Sequence, residues 1–171
     1  APKKLRSVFE LAVSVLAGIP SVVYGLVGML VIVPAVRRIF HIPDGAGLLS
    51  AILVLAVMIL PSVIKVSLTA LDAVPKEYED ASLALGATPI ETYFRVSVPA
   101  AKSGIAAAVV LGVGRAIGEA MAVMMVSGNA SSNMPGLFRS VRFLTTAVAS
   151  EMSYSGGLQR QALFSIALCL F

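Results

Sequence analysis

Between Leu11 and Val36 the chain runs for 26 residues without a charged side chain. In a helix, at about 1.5 Å per residue, roughly 20 such residues cross the hydrocarbon core of a bilayer. Further long uncharged stretches follow, and 58% of all residues are hydrophobic against 13% charged. Soluble domains carry charge on about 25% of their residues. The chain therefore reads as an all-α integral membrane protein, since in lipid only helices and closed barrels satisfy their own backbone groups.

Four spans are expected, at about 11–36, 46–71, 103–127 and 158–171. The first holds Gly18, Pro20, Gly25, Gly28 and Pro34, a density tolerable where small residues let neighbouring helices approach closely. The second has 19 uncharged residues from Ala46 to Ile64, then Lys65 as an interfacial anchor. The fourth has only 11 uncharged residues after Arg160, about half a crossing. Because the chain begins without Met and stops inside an apolar run, it reads as part of a longer protein.

The charge count leaves orientation open. One side carries Lys3, Lys4, Arg6, Lys76, Arg95 and Lys102, and the other Arg37, Arg38, Arg139, Arg142 and Arg160. Six against five does not decide the positive-inside rule. The net charge of +4 is spread without a dense basic run, which argues against a nucleic-acid partner. One cysteine, Cys169, and one histidine, His41, leave little material for a disulfide, a metal centre or a catalytic triad. No phosphate-binding Gly-x4-Gly-Lys-Ser/Thr loop is present, so ATP hydrolysis is not expected on this chain.

The loop at 75–99 is the most readable piece. It carries Lys76, Glu77, Glu79, Asp80, Glu91 and Arg95 between apolar segments. Pro75 followed by carboxylates suits a helix start, and Gly86 suits its stop. Thr88-Pro89-Ile90-Glu91 reads as a capping box that opens a second helix, ended by Pro99. Two short helices with a bend at 86–88 are expected. Tyr78, Ala81 and Leu85 fall on one face of the first. That face is either solvated or the apolar side of a helix that docks in a partner's groove.

Arg115 and Glu119 interrupt the third span. An ionisable residue within a span is by default a functional hypothesis. At i, i+4 on a continuous helix the two share a face. Either they neutralise each other as a structural ion pair, or Arg115 offers a planar, bidentate donor to an oxyanion and Glu119 holds it. The spacing does not separate these. Arg139 and Arg142 in the polar loop, Tyr24 beside Pro20, and Met121, Met124 and Met125 read as solvated or packed residues before anything else.

Asp80-Ala81-Ser82, three residues, Gly86, nine residues, Val96, one residue, Val98-Pro99 resembles the EAA loop of ABC-importer permeases. The spacing is kept; Asp replaces Glu, Ser replaces the second Ala, and Val replaces Ile and Leu. The stretches Ala17–Gly25 and Gly114–Ala122 are similar to segments of the phosphate-specific (Pst) permeases. The segment Phe143–Phe171 is more like the PstC subunit than its PstA partner. The resemblance implies a MetI-like transmembrane helix bundle over 1–171, a single permease domain in the inner membrane. It implies that 75–99 is cytoplasmic and docks on a separate ABC ATPase subunit through Glu79, Asp80, Ala81, Ser82, Gly86 and Pro99. It also implies a second, PstA-like permease subunit, a substrate-binding protein, and phosphate passing Arg115 and Glu119. ATP would be used by the partner, with no cofactor bound by this chain.

Overall fold

Pro20 breaks the first apolar run. A computed structural model describes residues 3–131 and 136–171, and of residues 3–6 the backbone alone. The side chains of Lys3, Lys4 and Arg6, and part of the polar loop at 132–135, lie outside the described residues. Helix α1, Lys3–Gly18, stops ahead of Pro20, whose ψ of 142° is extended. Proline has no N–H to donate and disfavours helical backbone before it. Helix α2 then runs Ser21–Phe40, and His41 closes it at a φ of 51°. The span expected at 11–36 is thus two helices, and the membrane-length one lies at 21–40.

Helix α3, Leu48–Asp72, contains Pro61. Helix α4 is Lys76–Ala84. Helix α5, Pro89–Ala100, bends 66° into helix α6, Lys102–Ile117. Helix α7, Met121–Val126, follows a break at residues 118–120. Helices α8, Leu144–Glu151, and α9, Gly157–Leu170, complete the chain. Among the described residues α2 and α3 are long and apolar enough to cross a membrane, and α5 with α6 makes a third if that bent pair is one span. The continuous helix expected over 103–127 is instead two pieces, and the 14 residues of α9 cover about 21 Å.

Among the described residues two π turns widen the helices, at Gly28–Ile32 in α2 and Tyr93–Ser97 in α5. Each lies just ahead of a proline, Pro34 or Pro99. The proline ring clashes with the carbonyl four residues back, and the wider i→i+5 turn relieves that crowding. Pro61 is held in α3 without such a turn, so the proline permits the widening but does not force it.

The chain divides into two compact units, 1–17 with 60–113, and 18–59 with 114–171. In the first, Gly104 meets Ala70 and Gly112 meets Val63, so α6 runs close to the C-terminal half of α3. In the second, Ala51, Val54 and Met58 of α3 form a core with Ala122, Val123 and Val126 of α7. Tyr24, Ile32, Val33 and Met125 pack on it. Spacing at i, i+3 and i+7 puts the α3 residues on one face.

Candidate functional site

The element at 75–99 lies in the first unit, and its ends are set by local chemistry. Pro75 precedes α4, and Glu77 and Glu79 occupy its first turn, where the helix dipole favours carboxylates. At the other end the Gly86 N–H reaches the Leu83 carbonyl and the Ala87 N–H reaches that of Ser82. This Schellman pattern needs a residue with positive φ, and Gly86 supplies it at 85°. Thr88 then opens α5 with the expected box. Its hydroxyl accepts from the Glu91 N–H at 3.3 Å, and its own N–H donates to the Glu91 carboxylate at 3.0 Å.

The Thr88 N–H first, and then the Thr88 hydroxyl donating to the same carboxylate oxygen at 2.9 Å, hold the Glu91 carboxyl below its usual 4.5, with Arg95 assisting and slight burial opposing. A carboxyl lowered in the folded state stabilises it above the unfolded value, and that contribution is lost as pH falls through the lowered one. Amide-exchange protection at Thr88 should therefore hold at neutral pH and fade below about 4.5. In Glu91→Gln the fading should be absent; an identical pH profile in that variant would rule out Glu91 as its source.

The residues expected to dock divide by exposure. Asp80, Ala81, Gly86 and Pro99 face outward, whereas Glu79 and Ser82 are half-buried. Tyr78 is 55% exposed and Leu85 90%, so the face expected from the helical period is open. Glu79 and Ser82 turn toward α5 instead. The Ser97 hydroxyl donates to Glu79 Oε1 at 2.7 Å, and Ser82 and Thr92 share a hydrogen bond of 2.9 Å. Ser97 and Thr92 are buried. A 3.6-residue period does not place Thr92 and Ser97 on one face, so a reading by helical spacing misses them.

Arg115 and Glu119 lie in the second unit, and their helix does not continue between them. Arg115 is half-buried in the last turn of α6, where a cation suits the negative end of the helix dipole. Gly118 and Glu119 make the last helical bonds, to Gly114 and Ala116. Beyond the break, Glu119 Oε1 accepts the Ala122 N–H at 3.0 Å, and the Glu119 carbonyl accepts from the Thr145 hydroxyl at 2.8 Å. The carboxylate thus satisfies one of the otherwise unpaired amides that begin α7. Arg115 thus lies at the end of one helix and Glu119 at the start of the next.

In the following loop, Arg142 is paired with Glu151, and its Nε donates to Asn129 Oδ1 at 3.2 Å. Gln159 adds a bond to Glu151 at 3.0 Å. Arg139 is exposed. Tyr24 and Met125 pack on the core.

The family model for the inner membrane component of binding-protein-dependent transport systems matches residues 1–170. The probable ABC transporter permease protein YqgH of Bacillus subtilis is 40% identical over 99% of this chain and 56% of its own length. The phosphate transport system permease protein PstC of Haemophilus influenzae is 34% identical over 100% of this chain and 60% of its own. That of Pasteurella multocida is 35% identical over 100% and 59%. The chain thus spans somewhat more than half the length of these relatives.

Proposed function

The chain belongs to the family of binding-protein-dependent transport system inner membrane components, and from this premise we propose that it is a multi-pass permease subunit of an ATP-driven importer for inorganic phosphate. The observation that carries the coupling role is the open face of α4, with Leu85 90% exposed, on an element whose two ends are fixed by caps. The helix docks on a separate ABC ATPase subunit in the helix-in-groove manner. Phosphate is favoured because relatives at 34% and 35% identity over the whole chain carry that solute in their names.

In this reading ATP binding closes the ATPase dimer and α4 moves with it. The spans reorient to open the pathway outward, and a binding protein delivers phosphate there. Hydrolysis reverses the motion. Arg115 supplies the cationic contact on the pathway, with a planar fork suited to two phosphate oxygens. Glu119 keeps the backbone broken beside it. A second, PstA-like permease subunit completes the pathway.

Reconstitution with the ATPase and second permease subunits tests this. Labelled phosphate should accumulate in proteoliposomes only with ATP and binding protein both present; accumulation without ATP would contradict the reading. The docking role has its own test. At Gly86 an added Cβ meets nothing within 4 Å, so Gly86→Val acts through backbone strain at a φ of 85° alone. That strain costs about 1–3 kcal/mol. Gly86→Val should lose the ATPase subunit on co-purification, and an intact complex would count against the docking role.

A further inference from the structure

The two hydroxyl bonds between α4 and α5 have a common origin in the π turn ahead of Pro99. In an α-helix, residues five apart point about 140° away from each other. Thr92 and Ser97 are five apart, yet both reach α4. The π turn at Tyr93–Ser97, closed by the Val98 N–H on the Tyr93 carbonyl, gives five residues to that turn and brings the two onto one side. Across from them Glu79 and Ser82 are three apart, on one face of α4. The pairs run antiparallel, Glu79 with Ser97 and Ser82 with Thr92, and both α5 partners are almost fully buried, at 2% and 4% exposure. Between the pairs the chain turns back at Gly86.

We propose that Glu79, Ser82, Thr92 and Ser97 are positioning residues that bolt α4 to α5, making the pair one rigid lever. The inference rests on the reading of α4 as the helix that docks on the ATPase. A docking helix tied to the chain only at its two loops would absorb a push by swinging. Two bonds spaced along the helix remove that freedom, so displacement of α4 carries α5 with it. The bond chemistry suits such a lever, because a hydroxyl donating to a carboxylate is short and strong, and a buried hydroxyl left without its partner is costly. Tyr78, Asp80, Ala81 and Leu85 stay on the outward faces, free for the partner.

The test measures phosphate transported per ATP hydrolysed in reconstituted proteoliposomes, with retention of the ATPase subunit checked by co-purification. Ser97→Ala and Glu79→Met should each lower that ratio about ten- to hundredfold, the range one lost hydrogen bond to a charged group produces in an equilibrium. The ATPase subunit should stay bound. Glu79→Gln and Ser97→Thr, which keep an acceptor and a donor, should stay near the parent. The double variant Glu79→Met/Ser97→Ala should be no worse than either single one, because both remove one bond. Ser82→Ala/Thr92→Ala tests the second bolt independently and should lower the ratio in the same way. A coupled parent complex with unchanged ratios in these variants overturns the lever. Loss of the ATPase subunit from Ser97→Ala overturns it too, because the bond then serves docking. A parent complex with no ATP-driven uptake overturns the functional reading and the lever with it.

Discussion

Arg115→Gln is expected to lower ATP-driven phosphate uptake roughly 10- to 100-fold while the complex still assembles, the range set by losing hydrogen bonds from a charged donor. Gln keeps much of the side-chain length but neither the charge nor the five-donor fork. Assembly should survive because Arg115 is half-buried at the end of α6 and lies outside the core of α3 and α7. Glu119 supplies the control. Its carboxylate holds the Ala122 amide at 3.0 Å, so Glu119→Gln, which keeps an acceptor oxygen, should preserve the break and most of the uptake. If Arg115→Gln transports like the parent, Arg115 is a structural cation at the negative end of α6 and the pathway role falls.

Gly25→Val is expected to give a large loss of stability. In α2 an added Cβ at Gly25 would sit 2.8 Å from the Ala122 Cα and 2.9 Å from the Met125 Sδ. The methionine can swing away, but the backbone of α7 cannot. Overpacking of this kind costs about 1–3 kcal/mol and more where backbone must shift. The same core holds Val54 and Met58, so the displacement spreads beyond one contact. Thermal unfolding of the purified complex in detergent should show a clear drop for Gly25→Val. Gly18→Ala, where a Cβ meets nothing within 4 Å, should leave the midpoint unchanged. Equal midpoints for Gly25→Val and the parent would mean that α2 and α7 do not approach as closely as described.

What the sequence shows and hides follows from the range of each interaction. The Thr88–Glu91 box and the Gly86 stop were legible because capping acts within a few residues, and both are present as read. The membrane class was legible because composition alone carries it. The break at Pro20 was less so: prolines also occur inside these helices, as Pro61 does. The break at residues 118–120 has no proline at all. It is held by Glu119 on the Ala122 amide and by Thr145 on the Glu119 carbonyl, the latter partner 26 residues away. For that reason the interruption beside Arg115 and Glu119 was not legible, although the residues singled out lie where it falls. Thr92 and Ser97 were missed because a π turn changes the period by which faces are read. The local signal was Pro99, two residues after Ser97.

The central claim is that this chain couples ATP hydrolysis on a partner to phosphate movement. ATPase stimulation in the reconstituted complex, with its binding protein and one solute at a time, tests it most directly. Phosphate should raise the hydrolysis rate, whereas molybdate, sulfate and amino acids should not. Stimulation by one of those solutes with none by phosphate would contradict the account.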